Sequence, residues 1–176
     1  EDPDPIWDRS KESLVNYVES GGGLMFIHFA NGAFHFSLPD AGESDWPYYR
    51  TLCRRVWNHH GNSTHDKYGS YMVNVVDRNH PITDGISDFQ VSDELYYNQE
   101  GEEPIHVLLS AISKDTGNEE PQAWTYELSQ ANGKTTRVFQ TTLAHDTVSL
   151  NVPEFQKILS NAGLWLSKGT ERWRDL

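Results

Sequence analysis

One cysteine, Cys53, is all the thiol this 176-residue chain contains, so an internal disulfide and a cysteine-built zinc cluster are both excluded. Cationic side chains are scarce as well. Fourteen Lys and Arg stand against 26 Asp and Glu, a formal charge of −12, and such a surface repels phosphate backbones and anionic lipid. Neither nucleic acid nor a membrane is expected as a partner. No run approaches the ~20 apolar residues of a spanning helix, and no basic-plus-apolar leader opens the chain. The reading is a soluble protein, cytoplasmic or secreted. Apolar content is low too, 36% with a mean hydropathy of −0.67.

Aromatic area makes up the deficit. Six Trp, eight Tyr and seven Phe provide enough apolar surface for one domain with a core. Aromatics set among acids and amides also suit a carbohydrate, whose C–H faces stack on rings while its hydroxyl edges accept and donate hydrogen bonds. The chain is long enough for one domain and short for two. We expect that domain over 1–168, with a tail at 169–176, carrying Trp173, that leads toward additional domains in a longer chain.

The segment Gly21-Gly22-Gly23-Leu24-Met25-Phe26-Ile27-His28 carries the most information. Leu24 to His28 is too short for a helix and continuous in its apolar character, as a parallel strand covered on both faces requires. In an open α/β sheet, ligands bind beyond the carboxyl ends of strands, so a polar residue closing such a strand faces the ligand crevice. His28 is therefore the first candidate for chemistry. Ahead of it a helix is expected from about Ser10 to Ser20, buried through Leu14, Val15 and Val18 and stopped by the glycines.

Beyond it, Trp46 to Trp57 reads as an aromatic-faced helix with Cys53 as an inert thiol. Asn58 to Tyr68 reads as a polar loop with His59, His60 and His65. Tyr71, Val73 and Val75 alternate as in a strand, and His80 before Pro81 is structural. Ile105 to Leu109 is a further strand. Ala123 to Glu127 and Arg137 to Thr141 pair across Asn132-Gly133. A helix opens at Pro153 and runs to about Lys168, packing through Phe155, Ile158, Leu159, Ala162, Leu164 and Trp165.

Five blocks stand in one order: Tyr17 through His28; His80-Pro81-Ile82-Thr83-Asp84-Gly85; Asp93-Glu94-Leu95-Tyr96; Glu120-Pro121-Gln122-Ala123-Trp124; and Arg137 through Asp146. Together they resemble the ThuA-like, trehalose-utilisation family. The resemblance implies an α/β fold, a flavodoxin-like sheet with flanking helices similar to that of the class I glutamine amidotransferases, and a role in sugar metabolism. It also implies that the family's N-terminal βαβ portion falls outside this chain. Thr136 and Ala144 stand where the family usually has glycine. In the amidotransferases the strand after the glycines ends in a nucleophilic cysteine on a tight elbow. Here His28 takes that place and His145-Asp146 matches the late histidine and acid, so a cysteine-dependent glutaminase is not expected.

The site assembled from these residues comprises His28, Glu94, His145 and Asp146 as catalytic groups. Trp46, Trp57, Tyr96 and Trp124 would stack on substrate, and His59 or His60 would reach in from the polar loop. Two histidines and a carboxylate have two chemical uses: acid–base catalysis near neutral pH, or three ligands to a divalent metal with a position open. The spacing leaves both open, with His28, Glu94 and His145 as the metal candidates. The expected function is action on a disaccharide or keto-sugar derivative, as an isomerase, lyase or hydrolase. The alternative is a sugar-binding or interaction module without turnover.

Overall fold

The computed structural model describes residues 5–39 and 44–167; the tail at 169–176, with Trp173, lies outside the described residues. The first helix, α1 (Pro5–Glu19), ends where the glycines begin. Gly21 adopts φ +89, its N–H bonds back to the Val18 carbonyl, and the Gly22 N–H reaches that of Tyr17. This left-handed stop satisfies two carbonyls that the helix end would otherwise leave unpaired. Gly23 is needed for closeness, because a Cβ there would lie 2.7 Å from the Leu166 carbonyl.

From this stop the chain enters β1 (Leu24–Ile27) and then a 3₁₀ turn over His28–Gly32. The aromatic-faced segment is helical only over α2 (Pro47–Leu52), shorter than the expected Trp46 to Trp57. Tyr126 explains the stop: its hydroxyl donates to the Leu52 carbonyl and accepts the Arg54 N–H. The following residues extend, and Val56 pairs with Glu100 through both backbone groups. Cys53 is buried, which pushes its thiol up and leaves it unreactive at neutral pH.

The polar loop contains a short strand, β2 (Thr64–His65), paired antiparallel with β5 (Tyr96–Tyr97). The remaining strands are β3 (Gly69–Val75), β4 (Phe89–Asp93), β6 (His106–Ile112), β7 (Glu119–Ser129) and β8 (Thr135–Thr141). Two helices close the described chain, α3 (Thr147–Leu150) and α4 (Pro153–Ser167). None of the described helices is long and apolar enough to cross a membrane.

Six strands form one curled sheet in the order β1-β8-β7-β6-β3-β4. Its parallel part is confined to β1 and β8, which run in register from Leu24 beside Val138 to Ile27 beside Thr141; the other pairings are antiparallel. The β7–β8 hairpin turns at Gly133, φ +80, where the sequence places its turn.

Alternation along the strands divides the core into two layers. Val138, Trp124 and Tyr126 pack with Val18, Phe26, Tyr49 and Leu52 on the α1 and α2 side. Phe139 and Ala123 face Phe155, Ile158 and Ala162 of α4 together with Leu95, Leu108 and Leu143. Leu164, expected to pack, is exposed on the outer side of α4. Packing on both sides of the sheet accounts for the unbroken apolar run of β1.

His80 shows how a turn histidine ties stability to pH. Its Nδ1 accepts the Ile82 N–H. Burial, and then the neighbouring His106, lower its pKa from 6.5 against the opposing pull of Asp77. A histidine whose folded value is depressed favours folding above its unfolded pKa, and that contribution is lost as pH falls below it. We expect the melting temperature to fall between about pH 7.5 and 5.5, the interval in which histidine titrates. The fall should be smaller in His80→Asn, whose amide oxygen can accept the same N–H without protonating. Equal slopes in the two proteins, by calorimetry, would remove His80 from this account.

Candidate functional site

The parallel register of β1 and β8 carries both chains off the sheet at one edge, so His28 and Thr142, each one residue past its strand, are neighbours. His28 sits at φ +50, a left-handed conformation at the sharp change from strand to 3₁₀ turn. Its Nδ1 lies 2.8 Å from the Thr142 carbonyl. A carbonyl can only accept, so in the neutral ring Nδ1 carries the proton and Nε2 presents its lone pair.

Around that lone pair three groups converge. The Tyr96 hydroxyl is 2.9 Å away, the His145 Nδ1 3.4 Å and the Glu94 Oε2 3.8 Å. His145 and Glu94 are themselves 3.1 Å apart. Tyr96 is buried, and burial, then Glu94 and Asp93, push its phenol well up, so it remains a donor across the ordinary pH range. The His28 and Glu94 side chains are mostly covered, 14% and 16% exposed, whereas His145 is open at 42%.

Asp93 holds this arrangement. The residue is fully buried, and its carboxylate accepts the N–H groups of Ala144 at 2.7 Å, His145 at 3.1 Å and Glu94 at 2.8 Å. One side chain thus fixes the backbone that carries two of the three convergent groups. Ala144 adopts φ +88, a conformation that suits glycine and strains alanine. Thr136, the other position where glycine was expected, is buried and donates its hydroxyl to the Val18 carbonyl, joining β8 to α1.

Several expected participants lie elsewhere. Trp124 is fully buried in the core and offers no stacking surface. Trp46 packs against Phe34 and Tyr49 beside α2. The Asp146 carboxylate caps α3 through the Val148 and Ser149 N–H groups and accepts the Tyr68 hydroxyl. Burial opposes its ionisation, but these bonds prevail and its pKa is lowered. It acts as a helix cap beside the site. His60 turns toward Phe36, and His59 lies against Phe29 and Trp57.

The polar loop does send a histidine to the site, and it is His65, whose Nε2 lies 3.7 Å from the other Glu94 oxygen. The β2–β5 pairing sets it opposite Tyr96, on which its ring stacks. Trp57 packs on Tyr96 with ring centres 4.7 Å apart, and Tyr68 approaches His145 from the other side. An aromatic wall therefore runs from the partly exposed Trp57 through the buried Tyr96 to the exposed His145. A cavity of about 640 Å³ lies apart from this wall, lined by His35, Phe36, Arg50 and Arg54 among others.

The fold is a mixed α/β one, a curled six-strand sheet with flanking helices, in which His28 stands one residue past β1 and His145 lies in the segment that leaves β8. The family model described as trehalose utilisation, ThuA, matches residues 2–166, and the chain belongs to that family. Among solved structures it is similar to a putative ThuA-like protein from Parabacteroides merdae ATCC 43184, at 24% identity and a TM-score of 0.72 over 91% of this chain. A second, from Bacteroides uniformis ATCC 8492, aligns at 18% identity and a TM-score of 0.60 over 88%. The chain spans 65% and 62% of the length of these two. No curated protein matches it.

Two substitutions test the support of the site. Ala144→Gly should stabilise the fold by about 0.5–1 kcal/mol, since relief of left-handed strain outweighs the entropy glycine adds to the unfolded chain. Asp93→Asn should destabilise it by roughly 1.5–3 kcal/mol, because an amide cannot accept as many N–H groups and loses the charge that strengthened them. Denaturant titration measures both. A loss in Ala144→Gly, or no change in Asp93→Asn, would contradict the roles given to these residues.

Proposed function

We propose that this ThuA-family domain acts on a disaccharide or keto-sugar derivative, with His28, Glu94 and His145 as its proton-handling centre. The observation that carries the reading is the His28 lone pair facing Glu94 and His145 within 3.8 Å, beside an aromatic wall. His145 and Glu94, in hydrogen-bond range, exchange a proton at a carbon or oxygen of the sugar ring. His28, held in one tautomer by Thr142 and contacted by Tyr96, accepts or returns it. Trp57, partly exposed and backed by the buried Tyr96, supplies the apolar face on which a ring rests, and His65 contacts the far oxygen of Glu94. The reaction belongs to the isomerase, lyase or hydrolase classes, all of which move a proton next to a carbonyl or glycosidic oxygen. With His28 in place of a thiol, the chain has no nucleophile for a glutaminase thioester.

One observation favours a second reading, a sugar-binding module without turnover. One member of the trio, His145, is open to solvent at 42%, and such openness suits reversible binding more than chemistry that excludes water. The two readings separate in one experiment. His28→Ala and His145→Ala are assayed individually on keto-sugars, while trehalose binding to the parent is followed by calorimetry and its products by chromatography. Acid–base function lowers turnover by about 10²–10⁴-fold in each variant. Unchanged turnover in both removes the catalytic assignment, and binding without product by the parent establishes the module.

A further inference from the structure

The donor atoms of this trio satisfy a second, stricter geometric test. His28, Glu94 and His145 each offer one ligand-type atom, and these atoms lie within 4.8 Å of one another. Their closest separations are 3.1 Å for His145 Nδ1 to Glu94 Oε2, 3.4 Å for His145 Nδ1 to His28 Nε2, and 3.8 Å for His28 Nε2 to Glu94 Oε2. An ion bound ~2.1 Å from each donor needs separations of about 3.0 Å at right angles and about 3.4 Å at the tetrahedral angle. Two sides of the triangle meet that requirement as they stand. The third closes with a small rotation of the Glu94 carboxylate.

The surroundings are those of a coordinating group. A metal-bound histidine commonly donates its other ring N–H to a carbonyl, which fixes tautomer and orientation, and His28 makes that bond to Thr142 at 2.8 Å. The backbone of the other two ligands is pinned by the buried Asp93 carboxylate. Two imidazoles and one carboxylate leave a divalent ion with a net positive charge, and the formal charge of −12 on the chain favours a cation at that position.

We propose that His28 Nε2, His145 Nδ1 and Glu94 Oε2 are the three protein ligands of one divalent first-row transition ion. The face of the triangle opposite the protein stays open to water or to two adjacent sugar oxygens. An imidazole-rich set with one carboxylate takes zinc, iron, cobalt or nickel in preference to magnesium or calcium. Binding requires neutral His145 to carry its proton on Nε2 and the Tyr96 hydroxyl to release the His28 Nε2 lone pair it contacts at 2.9 Å. The inference rests on the trio being the functional site, not on turnover. Held there, the ion would supply Lewis-acid chemistry, with His28, His145 and Glu94 serving as its ligands and Tyr96 and His65 beside it.

The test is zinc binding to the full chain, freed of metal by chelation and dialysis, followed by calorimetry. One zinc ion per chain is expected with a Kd of about 1 μM or tighter, and His28→Ala, His145→Ala and Glu94→Gln should each weaken it by at least ~10-fold. His106→Gln, an exposed histidine paired with Asp77, should leave it unchanged. Cobalt in place of zinc should give a visible absorption band that the parent shows and the ligand variants lose, with circular dichroism verifying that each variant is folded. No stoichiometric zinc, or equal loss in His106→Gln, overturns the site. Turnover is read separately on the chelated protein: persistence there together with absent zinc binding leaves the acid–base reading standing and removes the metal alone.

Discussion

A buried carboxylate organises the functional end of this protein. Asp93 closes β4 at one edge of the sheet, and its oxygens accept N–H groups from Ala144 and His145 in the segment that leaves β8. The sheet curls, and this contact ties the end of β4 to the strand that lies beside β1. A charge buried to this degree costs several kcal/mol unless charge-assisted hydrogen bonds satisfy it, and here three backbone donors do so. The same bonds set Glu94 and His145 facing one another, so the element that closes the fold also presents the reactive groups.

His28 meets the pair from the opposite side by a different route. The glycine stop of α1 turns the chain into β1 with Gly23 packed directly on the Leu166 carbonyl, and β1 lies parallel to β8. Because the pair is in register, the residue after β1 reaches the carbonyl after β8, which orients the imidazole. The left-handed φ at His28 makes the elbow sharp enough to aim Nε2 away from the sheet. Left-handed backbone occurs at His28 and Ala144 beside the site, as it does at Phe34 and Asn98 elsewhere, and strain held by surrounding structure is a recurring property of functional sites.

The aromatic content divides between two physical tasks. Trp124, Tyr126, Tyr49 and Phe139 fill the two core layers, whereas Trp57, Tyr96, Tyr68 and His65 stand at the edge beside the trio. Composition alone gives both groups the same weight. Side-chain alternation in β7 sends Trp124 inward, and the β2–β5 pairing brings His65 onto Tyr96.

Local order was legible in the residues themselves. The glycine stop, the apolar run of β1, the alternation of Tyr71, Val73 and Val75, the hairpin at Asn132-Gly133 and the helix from Pro153 all follow from backbone preference and hydrophobic period. Both signals act over a few residues. An apolar strand running into His28, together with the family resemblance that set Glu94 and His145 beside it, made these three residues recoverable as candidates. Tertiary structure alone decided that His65 and not His59 or His60 approaches Glu94, that Trp124 is core, that Asp146 caps a helix, and that the helix after Trp46 stops at Leu52. These outcomes depend on a two-residue strand pairing, on Tyr126 reaching across the sheet and on a carboxylate bridging distant segments. Such contacts join residues tens of positions apart and leave no period or spacing along the chain.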